Sequence, residues 1–438
     1  MRNYFVIVFA LLSMTATFAQ APEWSKDKTI YEVNIRQFTS EGTFDAFATH
    51  LPRLEKMGVG ILWMMPVQPI GELNRKGSLG SYYSISDYTA TNPEFGSMKE
   101  FKKVVDEAHK RDMYVILDWV ANHTSWDHKW MKNHKDYYTT DKSGKIVAPV
   151  PDWSDVADLN YDNKAMRKDM IADMIFWLKE ANVDGFRYDM AMMVPDDFWQ
   201  EAFVELKKIK PDVFLLAEAE GPQFHSIGFT MTYAWEKHHL MKDIAQGKKL
   251  APDMDSLIAK DLATFPVDAY RMNFTSNHDE NSWQGTEFER LGEGAKAFAV
   301  MSATIPGMLL IYSGQEVALD RRLLFFEKDS IVWVDNKNYT QFYTSLVELK
   351  KENEALWNGA YGGGYRTVET GHEKVYAFTR ELNGNKVMVI LNLSSDAHQI
   401  KLISDAGKYK NTFTGKKQKV KTGKKMEIPA WGYVVLTQ

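Results

Sequence analysis

The stretch Val183-Asp184-Gly185-Phe186-Arg187-Tyr188-Asp189 is a short run of β-strand character that ends in an acidic residue. A second run of the same kind, Val213-Phe214-Leu215-Leu216-Ala217-Glu218, follows after one amphipathic stretch. The spacing from Asp189 to Glu218 is 218 − 189 = 29 residues, about the length of one βα unit. Repetition of this pattern predicts βα units and a parallel sheet.

The same alternation extends in both directions along the chain. Amphipathic stretches separate the β-rich runs, and Ser97-Met98-Lys99-Glu100 forms a capping box at the start of one predicted helix. Eight repeats predict an α/β fold, a (β/α)₈ TIM barrel whose functional residues lie at the carboxyl ends of the strands. The predicted strands cover residues 30–35, 60–65, 113–118, 183–189, 213–218, 229–234, 271–276 and 308–313.

Two further segments complete the predicted domain organisation, in which the barrel occupies residues 20–358. Residues 123–160 are polar, contain tryptophan and show no clear helix, which indicates an insertion domain after strand three. Residues 359–438 have strand character, and Asn383-Gly384 between two apolar runs predicts a hairpin with a type I′ turn. We therefore expect a C-terminal antiparallel β-sandwich domain.

Residues 1–19 have the pattern of a secretory signal peptide, with Arg2, an apolar run over 4–12 and small residues up to Ala19. The alternative is a retained membrane anchor, but the apolar run is short for a bilayer-spanning helix. We expect the mature protein to be exported to the periplasm or the extracellular space, without a membrane span. Cysteine is absent, which excludes disulfides, thiolate metal sites and a catalytic cysteine.

Composition also limits the partners that we expect. The chain has 45% hydrophobic and 25% charged residues and a formal net charge of −5, so no sequence-wide attraction to nucleic acid is expected. No glycine-rich phosphate loop follows a predicted strand, so no nucleotide or other organic cofactor is predicted. Eight lysines between 408 and 425 are interpreted as protection of strand edges, with a binding patch as the alternative.

Four acidic residues, Asp118, Asp189, Glu218 and Asp279, lie where predicted strands end. The spacing from Glu218 to Asp279 is 279 − 218 = 61 residues, about two βα units, which places these carboxylates at one rim of the barrel. Glycoside hydrolysis requires one ionised carboxylate and one protonated carboxylic acid on either side of the bond. Converging carboxylates at a barrel mouth are suited to that reaction.

The environments of the two central acids suggest their roles. Arg187 lies two residues before Asp189 and faces the same side of the strand, so we expect its guanidinium to keep Asp189 ionised as a nucleophile. Glu218 ends an apolar strand, where burial and negative neighbours favour the protonated form of an acid/base. Glu220 faces the same side and is a rival candidate, although the strand-end position favours Glu218. A retaining enzyme would hold the two carboxyls about 5–5.5 Å apart.

Taken in order, these four acidic segments resemble the signature regions of the α-amylase family, glycoside hydrolase family 13. The likeness extends over residues 28–355, and the trailing β domain is similar to the usual C-terminal domain of the family. It includes further segments at Tyr31 to Phe38, Tyr82 to Tyr88, Ala157 to Asn160 and Ile311 to Glu316. The resemblance implies hydrolysis of α-glucosidic bonds with retention, through a covalent glycosyl-enzyme, with α-1,4-glucans or maltooligosaccharides as substrates.

The resemblance also implies individual roles. Asp189 would form the glycosyl-enzyme, Glu218 would protonate the leaving oxygen, and Asp279 would bind sugar hydroxyls near the reacting carbon. The remaining implied roles are hydrogen bonds to the same sugar from His123 and His278, orientation of Asp189 by Arg187, stacking beneath the sugar ring by Tyr83, and support by Asp118. Either histidine could instead be purely structural.

A structural calcium ion is common in the family, and Asn122 and Asp158 occupy positions that can supply oxygen ligands. Calcium takes about six to eight oxygens, so two candidates do not define a site. Asn122 could instead cap a helix.

One segment departs from the family pattern. Met192 and Met193 occupy the positions at which many starch-degrading members of the family have a Lys-His pair, which contacts the sugar on the leaving-group side. Two alternatives therefore remain open: a transglycosylase or a hydrolase of another α-glucoside, and a catalytically silent glycan-binding protein. The sequence leaves the linkage, endo or exo attack and the oligomeric state open.

Overall fold

The computed structural model describes residues 21–335 and 337–438. The predicted signal peptide, 1–19, therefore lies outside the described residues. Eight parallel strands close into a barrel in the order β1-β10-β9-β8-β7-β6-β3-β2. The strands are β1 (Ile30–Val33), β2 (Ile61–Met64), β3 (Tyr114–Val120), β4 (His123–Ser125), β5 (Val156–Asp158), β6 (Gly185–Asp189), β7 (Phe214–Ala217), β8 (Met231–Tyr233), β9 (Tyr270–Asn273), β10 (Met308–Tyr312), β11 (Gly364–Thr367), β12 (Val375–Leu382), β13 (Asn385–Asn392), β14 (His398–Lys401), β15 (Gly407–Asn411), β16 (Lys417–Val420), β17 (Lys425–Ile428) and β18 (Tyr433–Thr437).

Helices connect the barrel strands, and the (β/α)₈ prediction is confirmed, with every predicted barrel strand present. The helices are α1 (Ile35–Phe38), α2 (Phe44–Ala48), α3 (Leu51–Met57), α4 (Met98–His109), α5 (Lys129–Asn133), α6 (Lys164–Glu180), α7 (Asp196–Ile209), α8 (Gln223–Ile227), α9 (Trp235–Ala245), α10 (Ala251–Thr264), α11 (Glu287–Leu291), α12 (Ala295–Thr304) and α13 (Tyr339–Glu352).

Helix α4 begins at the residue that its local sequence predicts. The Ser97 side chain accepts from the main-chain N–H of Glu100, and the Glu100 carboxylate accepts from the Ser97 N–H at 2.6 Å. This capping box starts the helix where the sequence predicts it. The apolar stripe that includes Phe101 and Val104 is wholly buried against the barrel. Each such buried side chain contributes about 1.5–3 kcal/mol.

The barrel interior is apolar below the rim and polar at it. Ile116 of β3 and Phe214 and Leu216 of β7 belong to one cluster of buried residues, to which β1, β2, β8, β9 and β10 also contribute. In the same layers Arg187 is in register with Asp118 on one side and with Leu216 on the other. The change from apolar to charged inward side chains occurs at the carboxyl ends of the strands, where a barrel site is expected.

The segment after β3 differs in one respect from expectation. Strands β4 and β5 pair antiparallel, with His123 opposite Asp158. The predicted absence of a helix is wrong, because helix α5 forms here, capped by the His128 side chain on the Trp130 N–H at 3.1 Å. Five residues are too few to show an apolar period in the sequence.

The C-terminal domain consists of a six-stranded antiparallel sheet, in the order β11-β12-β13-β18-β15-β16, and the pair β14–β17. Side chains from both sheets, including Met388 and Ile400, form a shared core, as a sandwich requires. The predicted type I′ turn is confirmed, since Asn383 and Gly384 have φ of 51° and 84°.

Lysines face one another across the ladder of β15 and β16. Lys408 is directly opposite Lys419, and Lys410 is opposite Lys417. Strand β16 ends the six-stranded sheet and β17 belongs to a two-stranded pair, so protection of an edge can account for Lys417, Lys419 and Lys425. It does not account for Lys408 and Lys410, because β15 lies inside the sheet. Within the described ranges, no helix is long and apolar enough to cross a bilayer.

Candidate active site

A pocket of about 610 Å³ opens at the carboxyl ends of the barrel strands. Six of the residues singled out in the sequence line it: Tyr83, His123, Asp189, Glu218, His278 and Asp279. The other two, Asp118 and Arg187, are fully buried beneath it. The fold therefore brings all eight together.

Arg187 lies at the centre of the site. Its Nη1 lies 2.9 Å from Asp118 Oδ1 and 3.1 Å from Asp189 Oδ1. Its Nη2 lies 3.0 Å from Glu218 Oε2, a close ionic contact without the alignment of a hydrogen bond. One guanidinium thus touches three carboxylates, and Asp118 is held from its other side by the Trp63 indole N–H at 3.1 Å.

This arrangement corrects the expected ionisation of Asp189. Burial raises the pKa of Asp189 well above its usual range, and the negative charge of Glu218 raises it further, against the opposing effect of Arg187. Burial also raises the pKa of Glu218. Because Arg187 divides its charge among three carboxylates, it does not by itself keep Asp189 ionised. The two acids titrate as a coupled pair that retains a proton more readily than separate carboxyls would.

The residue after Asp189 contributes its main chain. Met190 has left-handed backbone dihedrals, φ 45° and ψ 42°, which a side chain with a Cβ adopts at a cost. Its N–H donates to Glu218 Oε2 at 2.8 Å. This bond fixes one oxygen of Glu218, and no described residue donates to Oε1, the oxygen free to carry a proton into the pocket.

His278 is linked to both sides of the rim. Its Nε2 lies 2.7 Å from the Tyr83 hydroxyl and 3.3 Å from Asp279 Oδ2, while its Nδ1 lies 2.5 Å from Glu32 Oε1. Burial alone would lower the pKa of His278, but the charges of Asp279 and Glu32 outweigh it and raise the pKa to about 9. Sequence reasoning missed Glu32, although one acidic residue within the apolar strand β1 is a signal that could have found it.

His123 and Tyr83 complete the wall. Burial lowers the pKa of His123 to about 4, so its imidazole is neutral and can either donate or accept. The Tyr83 hydroxyl donates to Asp118 Oδ2 at 3.1 Å, and its ring stacks on that of His278 with centroids 5.5 Å apart. The tyrosine is held rigidly on two sides.

The two calcium candidates, Asn122 and Asp158, both lie beside His123. Asp158 lies opposite His123 in the β4–β5 pair, and Asn122 directly precedes that histidine, with its amide Nδ2 3.2 Å from His123 Nδ1. Across residues 21–335 and 337–438, no three His, Asp or Glu side chains are grouped so that they could hold an ion. Calcium also takes amide and main-chain oxygens, so a structural calcium ion stays a prediction.

Three side chains singled out in the sequence, Glu220, Met192 and Met193, lie apart from the acids. Glu220 forms an ion pair with Arg271 and accepts from the Glu236 N–H at 3.1 Å, so it is occupied away from the pocket. Met192 and Met193 are exposed, at 48% and 37%, on the loop that follows β6.

The pocket also contains aromatic residues that sequence reasoning did not assign. Trp283 is 51% exposed and lies against Phe325, with ring centroids 5.2 Å apart. It belongs to a π-helical turn, Glu280–Gln284, that starts directly after Asp279, and the Gly285 N–H bonds the Glu280 carbonyl at 2.9 Å. Loops of irregular conformation give no sequence period, which is why this wall was not predicted.

Comparison with known proteins gives the family. Residues 18–147 and 150–383 match the family described as "Alpha amylase, catalytic domain", and residues 375–435 match "Alpha-amylase SusG C-terminal domain". A crystal structure of an alpha-amylase from Lactobacillus plantarum is similar, with a TM-score of 0.86 and 29% identity, over 95% of this chain and 99% of that one.

Two curated relatives are longer proteins. An alpha-amylase of Haloarcula japonica is 26% identical over 86% of this chain, which spans 57% of that relative. An alpha-1,4-glucan:maltose-1-phosphate maltosyltransferase of Picrophilus torridus is 27% identical over 85% of this chain, which spans 62% of that relative. With the family match covering most of its length and the acids gathered at the barrel rim, the chain belongs to the alpha-amylase family of glycoside hydrolases.

Proposed function

We propose that this protein hydrolyses α-1,4-glucans or maltooligosaccharides with retention of configuration at the anomeric carbon. The observation that carries the proposal is the single buried Arg187, which contacts Asp189 at 3.1 Å and Glu218 at 3.0 Å on the floor of the pocket. A glycosidic bond above them would have a nucleophile and a proton donor within reach at once.

In the first step, an oxygen of Asp189 attacks the anomeric carbon while the bond from that carbon to the leaving oxygen breaks. Glu218 gives its proton to the leaving oxygen, and the sugar remains attached to Asp189. Asp189 Oδ1 is held by Arg187, and no described residue donates to Oδ2, so Oδ2 is the oxygen suited to attack. The coupled pair supplies the one proton that this step requires.

In the second step, Glu218, now ionised, takes a proton from a water molecule whose oxygen attacks the anomeric carbon. The bond to Asp189 breaks and both carboxyls return to their starting states. Asp279, His278 and His123 line the same pocket and bind the hydroxyls of the distorted sugar. The buried guanidinium of Arg187 stabilises the negative charge of the Asp189 carboxylate when its bond to the sugar breaks.

The test is kinetic and stereochemical. The variants Asp189→Asn and Glu218→Gln should each lose at least about 10³-fold in kcat on maltooligosaccharides, since each removes one of the two groups that exchange bonds or protons with the sugar. Glu220→Gln is the matched control, because Glu220 lies two residues from Glu218 and binds Arg271 instead. Undiminished release of reducing sugar by either site variant would refute the mechanism.

Stereochemistry is read by ¹H NMR of the first products of maltoheptaose hydrolysis. Retention gives the α-anomer first, while a β-anomer would mean a carboxyl separation that admits water directly. Starch binding without turnover by the wild-type protein would instead favour a catalytically silent glycan-binding protein.

A second candidate function is transfer of the glycosyl group to another sugar. Its support is the exposed pair Met192 and Met193, whose apolar side chains stand on the loop directly after β6. A sugar acceptor packs on apolar surface better than water does, so it could intercept the same glycosyl-enzyme. Product analysis with maltotriose at rising concentration separates the two, because transfer yields oligosaccharides longer than the substrate.

A further inference from the structure

Glu32 is an unusual residue for the interior of a barrel strand. It lies in β1, has no exposed surface, and is the one charged side chain in the run Ile30–Val33. Its Oε1 contacts His278 Nδ1 at 2.5 Å, whereas its Oε2 has no hydrogen-bond partner among the described residues. Burial of a carboxylate costs free energy when one of its oxygens accepts no hydrogen bond, so a buried group of this kind suggests a functional role.

The hydrogen bonds around His278 define its protonation. The Tyr83 hydroxyl has one proton, and it is donated to Asp118 Oδ2 at 3.1 Å. The Tyr83 oxygen, 2.7 Å from His278 Nε2, therefore accepts from that nitrogen. Because Nδ1 lies against the Glu32 carboxylate, an oxygen that can accept faces each ring nitrogen, and this arrangement suits an imidazolium.

We propose that Glu32 is a positioning residue that holds His278 as an imidazolium, with Nε2–H at the pocket wall between the Tyr83 hydroxyl and Asp279. Glu32 does not touch the pocket and is absent from its lining, so it acts through the histidine alone. This proposal rests on the function proposed above, and it adds a residue on β1 to a site whose other residues lie on β3, β4 and β6 or in the segments that follow β2, β7 and β9.

The surroundings of His278 are consistent with this role. Asp279 lies 3.3 Å from Nε2, Asp118 is joined through Tyr83, and Arg187 lies below with its guanidinium 5.8 Å from the Tyr83 ring. Among the described carboxylates, Glu32 is the one that reaches Nδ1. Burial raises the pKa of Glu32 and the contact with His278 opposes that rise, so the two groups hold the proton between them with the histidine as its site.

The variant Glu32→Gln keeps the shape of the side chain and removes its charge. Without the carboxylate charge of Glu32 the pKa of His278 falls, so the ring becomes neutral and its positive charge beside Asp279 is lost. We expect kcat/KM on maltooligosaccharides to fall about 10- to 100-fold, with kcat affected more than KM, because the charge of the imidazolium acts on the distorted sugar. The alkaline limb of the wild-type profile, expected at about pH 9 from His278, should move to lower pH in the variant.

A double-mutant cycle separates positioning from a general structural effect. In a His278→Asn background, Glu32→Gln should have no further effect on kcat/KM, since its only route to the substrate has been removed. Glu287→Gln is the matched control, because Glu287 is also a buried glutamate, bonded to Gln315 and Thr275 and outside the pocket lining. Additive losses in the cycle, or an unchanged Glu32→Gln enzyme, would overturn the proposal.

A readout independent of activity uses ¹⁵N NMR of the histidine ring nitrogens. In the wild-type protein both nitrogens of His278 should have shifts of the protonated form at pH 7.5, whereas in Glu32→Gln one should not. A neutral His278 in the wild type would overturn the proposal even if the variant fails to fold. An imidazolium in a protein that cleaves no α-glucan would uphold the Glu32–His278 pair and refute the proposed function instead.

Discussion

The main-chain N–H of Met190 donates to Glu218 Oε2 at 2.8 Å, so the residue that follows the proposed nucleophile holds the proposed acid/base. The bond depends on the left-handed conformation of Met190, with φ of 45°. Glycine reaches this conformation without steric cost, while proline fixes φ at about −65° and has no N–H.

Two variants test this contact. Met190→Gly should change the free energy of unfolding by no more than about 1 kcal/mol and leave kcat/KM within about threefold of wild type. Met190→Pro should inactivate the enzyme, because it removes the donor and the turn together. Thermal unfolding and initial rates measure both effects. A fully active proline variant would show that the Met190 N–H does not hold Glu218 in place.

Replacement of Asp189 by asparagine should stabilise the protein at neutral pH. Burial and Glu218 raise the pKa of Asp189 in the folded state above that of the unfolded chain. The unfolded state therefore loses its proton first, and stability falls as pH rises from the unfolded pKa of about 3.9 through the raised folded value.

Asparagine does not ionise, so this loss of stability with rising pH is absent from Asp189→Asn. Its Tm should exceed that of wild type by about 1–3 °C at pH 7. The difference should shrink as the pH falls through about 3.9, because the carboxyl then becomes protonated in the unfolded state as well. The control is Asp162→Asn, a change at an exposed aspartate, which should show no such trend. A constant difference at all pH values would contradict the assigned cause.

Trp283 should contribute to substrate binding rather than to chemistry. Its half-exposed indole lines the pocket and is backed by Phe325. Such a face stacks on sugar rings in ground and transition states alike. Trp283→Ala should therefore raise KM for maltoheptaose about 5- to 50-fold with kcat nearly unchanged. Leu262→Ala, at a similarly exposed residue of α10, is the control and should leave KM unaltered.

Removal of divalent cations should not destabilise the protein. Asn122 is engaged with His123, and the described residues offer no group of three His, Asp or Glu ligands. Dialysis against EDTA should leave the Tm within about 1 °C of its value in calcium, because ligand-linked stabilisation requires a bound ion. A larger fall, restored by calcium but not by magnesium, would reveal a site built on other oxygens.

The opposed lysines of the C-terminal sheet should repel one another. Lys408 and Lys419 are directly opposite, an arrangement that costs about 0.2–1 kcal/mol. Lys419→Glu should raise the Tm at low ionic strength, and added salt should erase the gain. The control is Lys421→Glu, beyond the end of β16, which makes the same change of charge and should raise the Tm less. If Lys419→Glu aggregates instead, protection of the sheet edge is the stronger role of that lysine.

The barrel and its acids could be predicted because each strand is a local signal. The run that ends at Asp189 shows its apolar character and its acidic terminus within seven residues, and the spacing to Glu218 follows from the unit length. Family likeness added Tyr83, His123 and His278, and the structure places all three in the pocket.

The remaining features depend on neighbours that are distant in the chain. The ionisation of Asp189 depends on Asp118, 71 residues earlier, because that carboxylate shares Arg187. The role of Glu32 depends on His278, because closure of the barrel brings Glu32 Oε1 within 2.5 Å of His278 Nδ1. Helix α5 and the turn that carries Trp283 are too short to leave a period in the sequence. Pairwise contacts of this kind are decided by the closed barrel rather than by local pattern.

The π-helical turn Glu280–Gln284 places one residue more in its turn than an α-helix would. Loss of a single residue between Asp279 and Gly285 would restore ordinary helical winding and rotate each later side chain by about 100°. Trp283 would then leave the pocket while every acid stayed where it is. In relatives of this protein, a one-residue gap at this point would change the sugar-binding surface more than many substitutions. The length of this segment, rather than the identity of its residues, is therefore what should be compared between relatives.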